Sequence, residues 1–229
     1  MKKSKKIIVV TLCIVASLIV VFALGRLSFG IFKDKLESNI FPLKDPISVI
    51  NTEYERNDGI IVDWVYNPND LKQLTGFADY VFVAEVTEVI GTGYTGVEMY
   101  SAFRYDSYPF TRYKIRVLEN IKGELITNKD IPLTKHDGVY FFGEKVSLYQ
   151  EDMLPDVGEC YIFLCNCDED GELNIGSFAG HSDIYLCKGD EYTGQEELVE
   201  LYRDAVANMD ESVRFSERYK SKYDAETAG

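Results

Sequence analysis

DYVFVAEVTEVI, residues 79–90, is the stretch that organises the rest of this 229-residue chain. It begins with apolar residues at consecutive positions and ends with apolar and polar residues in alternation. A strand covered on both faces shows the first pattern, and a strand with one face in water shows the second. We therefore expect a long, curved β-strand whose first half is covered on both sides.

Other strands are predicted around this one. Residues 110–118 alternate, with the cations Arg112, Lys114 and Arg116 on one face and Thr111, Tyr113, Ile115 and Val117 on the other. Asp168-Glu169-Asp170-Gly171 predicts a hairpin turn, which explains this acidic stretch better than a calcium loop because a serine replaces the final glutamate. Further strands are predicted over residues 59–66, 131–134, 160–167, 172–178 and 183–187.

Two helices complete the predicted domain. Asn67-Pro68 indicates the start of a short helix over residues 68–76. A capping box at residues 193–196 opens a long amphipathic helix over residues 193–223, which we expect to pack on the domain. The predicted fold is mainly β (α+β), a small OB-like barrel or strongly bent antiparallel sheet with a short preceding helix and a long C-terminal helix.

Three strand segments carry a resemblance to a known family. ADYVFVAEV (residues 78–86), YKIRVLENIKG (113–123) and GECYIFL (158–164) resemble the strand pattern of netrin and metalloproteinase-inhibitor OB modules, and also that of uncharacterised Gram-positive surface proteins. The resemblance covers residues 78–187 and implies an OB-like fold. Those inhibitors use an N-terminal cysteine, and this chain has none between residues 14 and 159, so protease inhibition is not implied.

The N-terminus has the pattern of a membrane anchor. Residues 2–6 contain four lysines, and residues 7–25 are uncharged and almost wholly apolar. Nineteen such residues in a helix cover roughly 28 Å, close to the hydrocarbon thickness of about 30 Å. The lysines favour a cytoplasmic tail (residues 1–6), a single transmembrane helix (7–25) and an extracellular remainder. Cleavage of the segment as a signal peptide after residue 23 or 25 stays an alternative.

The remainder of the chain is strongly acidic. The formal net charge is −14, and it becomes −18 once the four lysines of residues 1–25 are set apart. Such a charge argues against a nucleic-acid partner. We expect a stalk over residues 26–58, a β-barrel-like ectodomain over 59–192, the C-terminal helix and a disordered tail over 224–229.

Four cysteines are crowded into 28 residues of the ectodomain. Cys165 and Cys167 lie on one face of a predicted strand, and Cys187 belongs to a strand that can neighbour it, so these three are the candidates for a disulfide. Buried thiols are the alternative. The Cys-x-Cys spacing does not suit zinc, and neither a metal nor a cofactor is predicted.

The candidate ligand-binding residues lie in and beside a Gly-containing connection over residues 93–113. Aromatic rings there could stack on sugar rings or an extended peptide. The cations Arg112, Lys114 and Arg116, which we call the basic row, could receive an anionic group. The alternatives are that the rings close the barrel as core and that the row is an ordinary solvated face. The candidates are Tyr94, Tyr100, Phe103, Tyr105, Tyr108, Arg112, Lys114 and Arg116.

The function predicted from these features is a membrane-anchored, extracytoplasmic binding module without catalytic activity. Its partners would be the membrane, through residues 7–25, and an envelope protein or carbohydrate. The sequence has two histidines and no Gly-x-Ser-x-Gly elbow, so it shows no nucleophilic triad, and no catalytic residue is predicted. The alternative is a cell-envelope hydrolase that uses carboxylates, which a buried, converging pair of acids in a pocket would favour.

Overall fold

The computed structural model describes residues 20, 23–57, 66–101, 104–141, 144–148, 152–175, 182–189 and 195–226. Most of the predicted anchor (7–25) and of the predicted strand at 59–66 lies outside these residues. Within the described ranges, we find no helix with the length and apolar character needed to cross a membrane.

Most helices lie towards the two ends of the chain, and eight of the nine described strands follow one another between the third helix and the fourth. The helices are α1 (residues 23–37), α2 (Ile47–Glu53), α3 (Leu71–Phe77), α4 (Glu196–Ala207) and a 3-10 turn at Glu211–Val213. The strands are β1 (Glu55–Asn57), β2 (Tyr80–Ser101), β3 (Arg104–Lys122), β4 (Asp130–Lys135), β5 (Gly138–Val139), β6 (Lys145–Ser147), β7 (Glu159–Cys167), β8 (Leu173–Ile175) and β9 (Asp183–Lys188).

The main sheet has six strands in the order β2-β3-β4-β8-β7-β9, and β2 also pairs with β7. Strand β7 is antiparallel to β2, β8 and β9, whereas β4 and β8 are parallel. The prediction of a mainly β fold is confirmed. The sheet is not a clean barrel, because among the described residues β4 meets β8 only through Thr134–Asn174 and Lys135–Ile175 and because β9 lies outside the ring of pairings. A smaller sheet has the order β1-β6-β5.

The pleat of the sheet separates two cores. Tyr113, Ile115 and Val117 are buried on one face of β3, while Lys114 and Arg116 are exposed on the other, as the alternation predicts. The same rule applies to β7: Phe163 and Cys165 belong to one apolar cluster, and Ile162 and Leu164 belong to a second, which α3 and α4 cover. A third cluster joins α2 to Val146 and Leu154.

The chain divides into two compact units. The first comprises residues 1–39 and 94–107. In it Leu36, Tyr94 and Val97 are buried, and the Val97 N–H donates to Glu37 Oε1 at 2.9 Å. The second comprises residues 40–93 and 108–229 and contains all three apolar clusters.

The prediction of a loop over residues 93–113 is wrong. Strand β2 continues to Ser101 and β3 begins at Arg104. Residues 92–100 (TGYTGVEMY) include aromatic and β-branched side chains, which suit an extended backbone better than a loop. Gly91 allows Phe41 to bridge to Thr92 in this region, because a Cβ at residue 91 would lie 2.2 Å from the Phe41 carbonyl oxygen.

The predicted stalk over residues 26–58 is largely structured. Residues 26–37 belong to α1, and residues 47–57 form α2 and β1. Ile47 and Ile50 are buried against the third cluster, and β1 runs parallel to β6. The sequence shows no sustained period over residues 47–57 because α2 and β1 are short, and the apolar partners of α2 lie about a hundred residues away.

The predicted C-terminal helix over residues 193–223 is too long. Helix α4 ends at Ala207, and Asp210 then caps the 3-10 turn by accepting from the Ser212 N–H at 3.0 Å. The chain beyond Val213 is not helical, because its backbone bonds to residues far away in the sequence. The Ile126 N–H donates to the Tyr223 carbonyl oxygen, and the Ala225 N–H donates to the Glu124 carbonyl oxygen. Asp224 bridges to Leu125 and is therefore ordered, contrary to the tail predicted from residue 224; residues 227–229 lie outside the described part.

Candidate functional site

The most unusual group in the second unit is a lysine surrounded by carboxylates. Lys135 Nζ lies 2.7 Å from Asp152 Oδ2, 2.8 Å from Asp183 Oδ1 and 3.9 Å from Asp137 Oδ2. The Lys135 and Asp183 side chains are only 1% and 2% exposed, and that of Asp152 is 7% exposed. We call Lys135, Asp137, Asp152 and Asp183 the lysine–carboxylate cluster.

Local sequence explains how each member reaches this place. Lys135 follows Ile131 and Leu133 at two-residue spacing, so the pleat directs it to the same face as these core residues. Asp183 opens β9, which pairs with β7 over the same core. Asp152 stands at the start of an irregular segment, where its Oδ1 accepts from the Met153 N–H at 2.8 Å.

Burial and charge act against each other in this cluster. Burial raises the pKa of Asp183 to about 7, although the nearby ammonium of Lys135 acts to lower it. Burial also lowers the pKa of Lys135, but the surrounding carboxylates outweigh burial and leave that pKa above its ordinary value. Asp183 can therefore hold a proton near neutral pH while Lys135 is a cation.

The predicted basic row is largely neutralised. Lys114 Nζ lies 2.6 Å from Glu88 Oε2, and Arg116 lies 3.2 Å from Asp130 and 3.8 Å from Glu85. Arg112 is half-buried at the same face. These contacts favour the alternative that the row is an ion-paired outer face of the sheet.

The structure describes the side chains of two of the predicted aromatic candidates. Tyr94 is buried in the first unit, whereas Tyr108 is exposed in the second. The Tyr100, Phe103 and Tyr105 side chains lie outside the described part of the structure. Tyr94 is therefore a core ring, and the shared binding surface stays a prediction.

The cysteine prediction needs a correction. Cys165 and Cys167 lie in the first apolar cluster, and Cys187 packs against the second, on the other face of the sheet. A bond from either of them to Cys187 would have to pass through the sheet. The residue opposite Cys187 is instead Cys160, and both sulfurs approach the Gly189 carbonyl oxygen, at 2.6 Å from Cys160 and 3.7 Å from Cys187.

We expect oxidation of the full chain in detergent to join Cys160 to Cys187 and to spare Cys165 and Cys167. The first two are neighbours on one face, whereas burial raises the pKa of both Cys165 and Cys167 and keeps them as unreactive thiols. Alkylation after denaturation, followed by mapping of the peptides from residues 158–189, should label Cys165 and Cys167 but neither Cys160 nor Cys187. Labelling of Cys160 in oxidised protein would contradict the pairing, and Cys160→Ser is the matched control.

A second buried charge group holds the C-terminal segment. Asp79 accepts from Arg214 and Arg218, each at 2.9 Å, and from the Cys167 N–H at 3.0 Å. The Lys122 ammonium donates to the carbonyl oxygens of Thr75 and Ala78 beside it. The Asp79 carboxylate is 3% exposed and bonded on both oxygens, so we assign this group a structural role.

Three exposed apolar side chains lie on or near β9, the last strand in the order of the main sheet that the structure describes. Tyr185 is 50% exposed although its ring meets Tyr161 at 5.8 Å, and Met153 and Val157 are 55% and 48% exposed. The cluster bonds of Asp152 place Met153 near the start of β9. The Asp156 N–H, next to Val157, donates to Tyr161 Oη, and the Tyr161 ring meets that of Tyr185. We call Met153, Val157 and Tyr185 the β9 surface.

Sequence reasoning missed both the lysine–carboxylate cluster and the β9 surface. A lysine in phase with Ile131 and Leu133 was an available signal for the first. Among the described residues, no group of three or more histidine, cysteine or acidic residues is arranged to hold a metal ion. Comparison with protein-family models and with curated proteins gave no match to this chain.

Proposed function

We propose that this chain is a membrane-anchored, extracytoplasmic binding module that receives an extended peptide segment along β9. The observation that carries the proposal is the β9 surface, where exposed apolar side chains flank the outer strand of the sheet. Residues 7–25 supply the anchor, and the four preceding lysines orient it with the domain outside.

We further propose that the domain is an OB-like module. Strand pairing runs from β2 through β3, β4, β8 and β7 and returns to β2. The β4–β8 pair is parallel. A five-stranded, partly open barrel of this kind carries its ligands on strand faces and loops at its rim. The pairing order supports the resemblance to netrin and metalloproteinase-inhibitor modules, without implying their activity.

The outer position of β9 favours a peptide as the occupant. The outer edge of a sheet offers backbone N–H and C=O groups that an added strand can use, and alternate side chains of that strand then reach neighbouring pockets. Tyr185 gives a large contact area at low entropic cost. Because the chain carries a formal charge of −14, we expect the segment to be neutral or basic and to belong to an envelope protein.

The Tyr185→Ala variant should lose peptide binding at the cell surface. Peptides would first be selected from a random library on intact cells that display the full wild-type chain. On Tyr185→Ala cells, we expect their affinity to fall at least about tenfold, because a central aromatic residue typically contributes 2 kcal/mol or more at an interface. Fluorescence of labelled peptide on intact cells is the measurement.

Tyr108→Ala is the matched control, since Tyr108 is also an exposed tyrosine, 68% against 50% for Tyr185, but lies on β3. It should bind the peptides like the wild type. Methylation of alternate peptide amides should abolish binding in one register only, as strand addition requires. Equal binding by Tyr185→Ala would refute the β9 site, and a Tyr108→Ala defect would move the site to the predicted aromatic segment. Binding only in permeabilised cells would refute the topology.

The alternative of a carboxylate hydrolase has one supporting observation, the raised pKa of Asp183 beside other acids. A glycosidase needs its two carboxyl groups to face a substrate across a gap. Here Asp152 and Asp183 both bind the same lysine nitrogen and are nearly inaccessible. This arrangement favours the binding module over the hydrolase.

A further inference from the structure

The lysine–carboxylate cluster has the components of an intramolecular condensation. An amine, a carboxyl carbon and a proton-carrying acid meet inside the protein, where the Lys135 side chain is 1% exposed. We propose that Lys135 and Asp152 become joined by an isopeptide bond, with Asp183 transferring the protons. The proposal is independent of the peptide site on β9.

Geometry assigns the roles of the two nearest carboxylates. Asp152 is the acceptor of the amine because its two oxygens have different partners: Oδ2 lies 2.7 Å from Lys135 Nζ, and Oδ1 receives the Met153 N–H at 2.8 Å. A backbone N–H at that distance stabilises the negative charge that develops on a carbonyl oxygen during attack. Asp183 Oδ1 lies 2.8 Å from the same nitrogen and so is in reach of its protons.

The reaction balances without another reactant. Lys135 first passes one proton to Asp152 Oδ2, which leaves a neutral amine and a neutral carboxylic acid. Nζ then bonds to Asp152 Cγ, and Oδ1 carries the negative charge against the Met153 N–H. Asp183 takes a second proton from Nζ and delivers its own to the hydroxyl at Oδ2. The Cγ–Oδ2 bond breaks, one water leaves, and Asp183 returns to its initial state.

Burial eases the first proton transfer, although the carboxylates hold Lys135 as a cation at equilibrium. A low-dielectric surrounding destabilises separated charges, so it lowers the free-energy cost of moving a proton within the Lys135–Asp152 pair. Fixed positions of the reacting atoms turn a bimolecular reaction into an intramolecular one. The protein core also limits the water that would reverse the condensation. The bond would link the end of β4 to the segment before β7.

Mass spectrometry of the full chain tests the proposal. We expect wild-type protein to be lighter than its sequence by the mass of one water, and digestion to give one branched product that contains Lys135 and Asp152. Lys135→Arg keeps the positive charge but lacks the amine, so it should have its full sequence mass. Because both proteins share any N-terminal processing, their mass difference isolates the condensation.

Two further measurements keep the test decisive. Asp183→Asn should fold and yet accumulate uncondensed chain, because the amide cannot relay the protons. Cyclisation of Asp152 onto its own backbone also removes one water but gives no branched product, so the digest separates the two reactions. A wild-type chain of full sequence mass, or one lacking the branched product, would overturn the proposal whatever the variants do.

Discussion

Replacing Asp79 by alanine should destabilise the protein by about 3–5 kcal/mol, because it leaves Arg214 without its carboxylate in a buried site. The Arg214 side chain is 7% exposed, and Arg218 shares the same carboxylate at 2.9 Å. The Cys167 N–H would lose its acceptor as well. Urea denaturation of the full chain in detergent measures the change in the free energy of unfolding.

Glu55→Ala is the matched control for Asp79→Ala. Glu55 also pairs with a cation, Lys145 at 2.7 Å, but both side chains are more than half exposed. Solvent screens such a pair, so its loss should cost less than about 1 kcal/mol. Similar effects of the two variants would contradict the assignment of Asp79 as a buried structural anion. Proteolysis should also cleave the Asp79→Ala variant first within residues 208–226, because Arg214 and Arg218 attach this segment to the domain through Asp79.

Replacing Phe163 by alanine should lower the free energy of unfolding by about 3–5 kcal/mol, since it removes a large ring from the first apolar cluster. The ring packs 5.8 Å from Phe82 and 5.5 Å from Tyr161, centroid to centroid. Because β7 pairs with β2, β8 and β9, the cavity would lie at the junction of four strands. The transition should move to lower urea concentration with a similar slope.

Phe215→Ala provides the comparison for Phe163→Ala. The two changes are chemically identical, but Phe215 is the most exposed of the large apolar side chains that the structure describes. Its replacement should alter stability by no more than about 0.5 kcal/mol. A large effect at Phe215, or a small effect at Phe163, would contradict the placement of this core.

The sequence alone determined the elements whose pattern is local. The alternation of residues 111–117 gives the two faces of β3, and the turn at residues 168–171 appears as a Gly171 N–H to Asp168 bond of 3.0 Å. Helix α3 was also predicted, although it begins at Leu71 with Asp70 as its cap rather than at Pro68. These features follow from residues within a few positions of one another, where side-chain periodicity and turn chemistry act directly.

Only the tertiary structure decided the sites. Lys135 is 17 residues from Asp152 and 48 from Asp183, and Arg214 is 135 residues from Asp79. No local period encodes such meetings, because they depend on which strands become neighbours. The pleat of β7 likewise separated Cys165 from Cys187 and brought Cys160 opposite it. Residue types can indicate a buried lysine or a cysteine pair as a candidate, but strand order and register determine which residues become their partners.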